Sequence, residues 1–261
     1  MTAIAEPETR THDVTAGKRP SLGRLTLVEL RKMADTRAGR WLLASVGLVT
    51  MGLVLIRLFA GSSDTRTADE FFAFALAGSG LLLPVLGILA VTSEWNQRTS
   101  LVTFTLVPKR ERVLLAKVLA AVAIALASVA VAVAVAVLGN VAADLLGRGG
   151  GWDLGVADVA YGIVYQTINM LMGIAFGALL LASGLAIVLY FVIPTAWSIL
   201  GEAVSALRDA AGWLDLSVTT NPLLTDSMTG GSWGRLATSV AVWVAVPLAA
   251  GTVRVLRHEV K

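Results

Sequence analysis

The sequence predicts an all-α membrane protein, with six transmembrane helices preceded by an amphipathic helix at the bilayer surface. Three observations predict it. First, six apolar stretches, at 41–60, 71–92, 113–138, 157–181, 184–200 and 236–253, are separated by shorter polar segments. A helix rises about 1.5 Å per residue, so some 20 apolar residues cross a hydrocarbon core of about 30 Å. Second, hydrophobic residues make up 56% of the chain and charged residues 15%, against about 25% charged in a soluble domain. Third, the basic residues gather on alternate connections. With the first 40 residues inside and six crossings, 16 of the 21 Lys and Arg fall on the inner side. Arg66, Arg148, Arg208 and Arg235 fall outside, and Arg57 lies within the first span. The positive-inside rule then places both termini in the cytoplasm.

Residues 1–20 are polar, contain Pro7, Gly17 and Pro20, and lack the apolar core of a signal peptide. They read as a disordered cytoplasmic tail, and 21–261 as the membrane domain. Ser21 can cap a helix over 22–36, since its hydroxyl can accept a free backbone N–H. Leu22, Leu25, Leu30 and Met33 share one side of that helix, with Arg24, Arg31 and Asp35 opposite. It is expected to lie along the inner membrane surface. Glu29 falls close to its apolar side, where Lys32, a protein partner or exposure at the interface can satisfy it. Arg57, three residues short of the end of the first span, is expected to snorkel outward. The external 61–70 segment is short and acidic. The inner 93–112 segment is rich in charge and contains Pro108.

In the third span, 129–137 alternates Val and Ala. The alternation mimics a strand, yet both members are apolar and the run is long, so a buried helix fits better. Gly149, Gly150 and Gly151 predict a flexible external 139–156 loop. A tight inner turn at 182–184 joins the fourth and fifth spans, and Pro194 is expected to kink the fifth. The longest external segment is 200–235. It is expected to open with a helix over 202–214, carrying Val204, Leu207, Ala211 and Leu214 at three- and four-residue steps. Asn221-Pro222 and Gly230-Gly231 read as turns. The segment either rests on the outer face or re-enters the bilayer.

Little in the chain suggests chemistry of its own. There is no cysteine, which excludes disulfides and thiolate catalysis. His12 and His258 have no paired ligand spacing, so no metal site is expected. Gly230-Gly231-Ser232-Trp233-Gly234 fits the string G-x-S-x-G, but that motif needs a strand-to-helix elbow and a nearby histidine. No G-x-x-x-x-G-K-[ST] phosphate loop occurs. The basic residues follow topology rather than forming a nucleic-acid patch. Within the spans, Gln166 and Asn169 share a face with Tyr165. They either line a translocation route or bond across a helix interface, and both roles can coexist at a dimer seam. Gly173 and Gly177 form a small-x-x-x-small pair that permits close helix approach.

The most informative string is Glu94-Trp95-Asn96-Gln97-Arg98-Thr99-Ser100-Leu101, then Thr103-Phe104-Thr105-Leu106-Val107-Pro108, then Arg110, Arg112 and Lys117. It resembles the cytoplasmic segment between spans two and three of bacterial type-2 ABC exporter permeases. There a Glu closes the second span, a Thr follows five residues later, and a Pro-x-Arg-like turn precedes a Lys at the base of the third span. Val28-Glu29-Leu30-Arg31-Lys32 with Thr36-Arg37 looks like the helix that opens such permeases. Where Arg98 stands, the family commonly has Gly. The resemblance covers 21–261 and implies a half-transporter in the bacterial plasma membrane, paired with a second permease copy. A separate ABC ATPase chain would carry the ATP and Mg, with no cofactor bound by this chain. Glu29, Glu94, Arg98, Thr99, Pro108, Arg110, Arg112 and Lys117 would couple the two. Tyr165, Gln166, Asn169, Gly173 and Gly177 would serve the substrate pathway or dimer interface. The competing reading is a membrane immunity or sensory subunit with the same fold. An intramembrane enzyme would need a polar constellation that the spans do not offer.

Overall fold

The computed structural model describes residues 20–60, 66–97, 109–149, 151–225 and 227–257. The chain opens with α1 (Leu22–Asp35), which Ser21 caps by accepting the N–H of Arg24 at 3.3 Å. Thr36 ends α1 in an extended conformation, and its hydroxyl accepts the Gly39 N–H at 3.1 Å as α2 (Arg37–Ala60) begins. Only a glycine fits at 39, because a Cβ there would strike the Met33 carbonyl. The two helices therefore meet at a sharp corner.

Four more long helices follow: α3 (Ala68–Asn96), α4 (Arg110–Leu145), α5 (Val156–Leu180) and α6 (Ser183–Ala203). Short helices α7 (Arg208–Leu214) and α8 (Leu216–Leu224) precede the last, α9 (Gly230–Arg257). Six of these, α2 to α6 and α9, are long and apolar enough to cross a membrane. The protein is a multi-pass membrane protein. Among the described residues no strand forms; Thr67 and Gly151 make one isolated bridge.

Each helix contains the apolar stretch that predicted it, apart from a residue or so at one junction, and most run past it. Charged and polar residues such as Arg110, Glu111 and Arg257 extend the turns beyond the hydrocarbon-like run. The extension is largest in α4, whose 36 residues span about 54 Å. The Val-Ala alternation sits wholly inside α4. Ala120, Ala121, Ala125, Ala132 and Ala136 are at most 1% exposed there, and such small side chains let neighbouring helices approach closely.

The bundle is built around α3 and α5. Their spanning windows are each 61% buried, against 22% for α2, 17% for α6 and 22% for α9. The outer helices thus keep apolar faces free for lipid. The small-residue pair makes the central contact. A Cβ on Gly173 would strike the Pro84 carbonyl, and one on Gly177 would come within 3.0 Å of the Ile88 carbonyl. Both glycines are spent on α3 of the same chain. The close approach is therefore intramolecular, and neither is available at a seam between copies.

Several expectations are corrected. α1 forms, and part of its apolar side docks on the bundle: Met33 is 3% exposed and packs in a core cluster with Leu83 and Ala121, while Leu22, Leu25 and Leu30 are half-buried. The 202–214 helix is broken at Val204, whose extended backbone separates α6 from a 3-10 turn at Ser205–Leu207 and then α7. Of its four stepped residues only Ala211 is buried. Asn221-Pro222 is not a turn but part of α8. Asp215 caps that helix through the Ser217 and Val218 N–H groups, and Leu223, 2% exposed, anchors it. Gly230 and Gly231 open α9, with Thr229 as the cap. Gly151, expected in a flexible run, accepts the Ala68 N–H at 2.9 Å. Arg57 is held in place: its side chain is 12% exposed, pairs with the more exposed Glu70 at 3.3 Å and lies over the Phe74 ring.

α6 continues as one helix through Pro194. α9 carries a wide π turn over Ala241–Ala245, where the Val246 N–H reaches back to Ala241. Pro247 explains it: a proline cannot donate to the carbonyl four residues back, and a wider turn before it absorbs the mismatch.

Candidate functional site

Four ionisable side chains from three helices meet at the end of the bundle that carries α1. Lys32 Nζ lies 2.8 Å from Glu29 Oε1 and 2.8 Å from Glu94 Oε1. Lys117 Nζ lies 2.6 Å from Glu29 Oε2 and 3.2 Å from Glu94 Oε1, and donates to the Ala90 carbonyl at 2.7 Å. Glu29 is thus satisfied by Lys32, as one expectation allowed, and also by Lys117 from α4. The cluster is neutral, with two carboxylates alternating with two ammoniums. The side chains of Glu29, Glu94 and Lys117 are 6%, 11% and 5% exposed, whereas that of Lys32 is 44% exposed. Burial works to lower the Lys32 pKa, but the hydrogen bonds and charges of Glu29 and Glu94 outweigh it and hold the pKa above the usual lysine value.

The rest of this end is tied by side chains bonded to backbone or to one another. Arg110 donates to the Val255 carbonyl at 3.2 Å, joining the start of α4 to the end of α9. Arg112 donates to the Pro20 carbonyl at 3.1 Å, which fixes the chain just before α1. Arg254 donates to the Leu179 carbonyl. Ser183, the first residue of α6, receives a hydrogen bond from Asn96 at 2.7 Å and shares one with Thr92 at 2.6 Å. Glu29, Glu94, Lys117, Arg110 and Arg112 therefore all sit at one end. Arg98, Thr99 and Pro108 lie outside the described residues. Ser183 was missed by sequence reasoning; a hydroxyl in an otherwise apolar tight turn is the signal that marks it.

The opposite end is held separately, by Arg57 with Glu70 and by Arg66 donating to the Arg148 carbonyl at 3.0 Å. Between the ends, the five residues expected to line a pathway or interface divide into two groups. Tyr165 and Asn169 face a cleft of about 330 Å³ between α3, α5, α6 and α8. Asn169 donates to the Tyr165 carbonyl at 2.9 Å, and the Tyr190 hydroxyl stands 3.5 Å from Asn169 Oδ1. Tyr190 and Thr220 are among the further polar residues of its lining; they come from α6 and α8 and carried no motif. Gln166, fully buried, turns the other way and donates to Ser79 of α3 at 3.1 Å. With Gly173 and Gly177 it belongs to the α3–α5 seam.

Ser232 of the G-x-S-x-G string lies in the first turn of α9, its hydroxyl 2.9 Å from that of Thr229. That is a helix cap, not a strand-to-helix elbow. Compared with known proteins, the chain matches no family model and no curated protein.

Chemically, the cluster is suited to holding helices rather than to bond making. Each carboxylate is paired at hydrogen-bond distance with both lysines. Removing one member leaves two opposite charges sharing a single partner. A mechanical displacement of α3 or α4 at this end is felt by α1 through the same bonds.

Proposed function

We propose that the chain is the membrane-spanning permease subunit of an ATP-driven exporter of the type-2 ABC kind, driven by a separate ATPase chain. The ion cluster supports this reading most. Glu94 lies in the last turn of α3, Lys117 two turns into α4, and the 98–108 segment lies between those two helices in sequence. Whatever pushes on that segment acts on both spans next to Glu94 and Lys117. Glu29 ties the push to α1, and Arg110 ties it to α9. Arg98, Thr99 and Pro108 supply the docking turn in this reading, and Arg112 anchors the chain before α1.

In the same reading, the 98–108 side and both termini are cytoplasmic, in a bacterial plasma membrane. Two permease copies face each other, and the ATPase supplies ATP and Mg. Cargo passes the cleft of Tyr165, Asn169 and Tyr190, whose hydroxyl and amide groups sit among apolar walls. An amphipathic cargo suits that mixture.

The test is co-purification of the chain with an ATPase, followed by turnover measurements in lipid. Glu94→Ala is expected to uncouple the pair: the ATPase still binds, but its turnover no longer responds to the permease. No associated ATPase in the purified material would favour the immunity or sensory reading. Unchanged coupled turnover in a Glu94→Ala, Arg110→Ala double variant would remove the cluster from the mechanism.

A further inference from the structure

A cleft of about 540 Å³ opens beside the ion cluster, between the end of α1, the first turn of α2 and the last turns of α3. Its α3 wall changes character along the helix axis. Leu86, Leu89 and Ala90 line the deep part, and Asn96 and Gln97 line the mouth. These positions recur at three- and four-residue steps, so they form one face of α3. From Leu86 to Gln97 the helix rises about 16 Å, close to half of a hydrocarbon core of about 30 Å. The cleft therefore runs the depth of one leaflet, apolar inside and polar at the surface.

The lining charges sum to zero, but the one that is exposed is positive. Glu29 and Glu94 also line it, but each accepts from both lysines and is largely buried. Lys32 is the cluster member whose side chain is substantially exposed, at 44%. Its neighbours Arg31, Arg37 and Arg40 are exposed as well, against one exposed acid nearby, Asp35.

We propose that this cleft binds one anionic phospholipid, its phosphate at Lys32 and an acyl chain along Leu86 and Leu89. The fit is that of a basic recess between membrane helices for an anionic headgroup. A free phosphate would use the mouth and leave the apolar wall empty, whereas a zwitterionic lipid would use the wall but bring its own cation beside Lys32 and the exposed arginines. The site requires only that the spans lie in a bilayer, so it stands or falls independently of the exporter reading.

The experiment is native mass spectrometry of the full chain, released from mixed micelles holding equal amounts of phosphatidylglycerol and phosphatidylcholine with the same acyl chains. One phosphatidylglycerol is expected to stay bound at about fivefold excess over phosphatidylcholine, the scale of one basic side chain at an anionic surface. Inorganic phosphate is not expected to displace it. Lys32→Gln is expected to bring the ratio to about one. Leu89→Trp, which fills the wall and leaves the ion cluster intact, is expected to lower retention of both lipids. If Lys32→Gln does not fold, Leu89→Trp decides alone. Equal retention of the two lipids by the unaltered chain, displacement by inorganic phosphate, or undiminished retention in Leu89→Trp would each overturn the proposal.

Discussion

Lys117, two turns into α4, donates to Glu29 of α1 at 2.6 Å, and the two side chains are 5% and 6% exposed. The pair joins residues 88 apart in sequence, at the point where α1 would otherwise be a peripheral helix. Breaking a buried pair from one side costs about 3–5 kcal/mol, because the remaining charge has lost its partner. Glu29 and Glu94 both keep Lys32, at 2.8 Å each, so Lys117→Met is expected to lower stability toward the lower end of that scale. Removing both charges, with Glu29→Leu added, is expected to recover a substantial part, since Lys32 still serves Glu94. Thermal unfolding in detergent measures the cycle. A double variant as unstable as the sum of the two single ones would show that the contact carries no energy.

Lys32 gives a pH dependence with a definite sign. Its folded pKa is held above the ordinary value of 10.5, so the folded state binds its proton more tightly than the unfolded chain. The stabilisation is fully present below about pH 10 and is lost as pH climbs through the folded pKa. The difference in unfolding temperature between the unaltered chain and Lys32→Met is expected to be flat from pH 7 to about 9.5 and to shrink above that. A difference that grows with alkaline pH would have the wrong sign.

The α3–α5 seam predicts a contrast between glycines. Gly173→Ala places a methyl group against the Pro84 carbonyl, and overpacking of this kind costs about 1–3 kcal/mol. Gly47 has nothing within 4 Å of a Cβ, so Gly47→Ala is expected to be neutral or to stabilise by up to about 1 kcal/mol through helix propensity. The two variants, compared in one unfolding assay, separate seam packing from backbone preference. Equal effects would mean that the close approach at Gly173 is not needed.

The spans were legible because membrane hydrophobicity is a local property: each crossing announces itself in its own 20 or so residues. Helix ends were less legible, since Arg110 and Glu111 belong to α4 by hydrogen bonding and not by hydropathy. The 200–235 segment was misjudged where tertiary contact overrode local signals. Leu223 buried against α5 holds Asn221-Pro222 in a helix, while Val204 breaks a pattern that looked continuous. At the ion cluster, Glu29, Glu94 and Lys117 each stood out as a charge at the edge of an apolar run. Their mutual pairing did not, because it depends on how three helices dock. Tyr190 and Thr220 gave no signal at all; only the packing of α6 and α8 beside α5 brings them to Asn169.

The absence of cysteine from the sequence makes the topology directly measurable. Lys109 is exposed at the cluster end, next to Arg110, which bonds the end of α9. Arg208 is exposed at the start of α7, on the connection between α6 and α9. An odd number of crossings, α4, α5 and α6, separates the two positions, so they must lie on opposite sides of the bilayer if each of those helices spans it. By the positive-inside rule, the excess of Lys and Arg on the Lys109 side predicts that side to be cytoplasmic. Lys109→Cys is therefore expected to resist a membrane-impermeant maleimide in whole cells and to react after lysis, while Arg208→Cys reacts in both. Labelling of both from outside would mean that one of the three helices does not cross. Labelling of Lys109→Cys alone would invert the protein and put the ion cluster on the side away from nucleotide, where it has no ATPase to couple to.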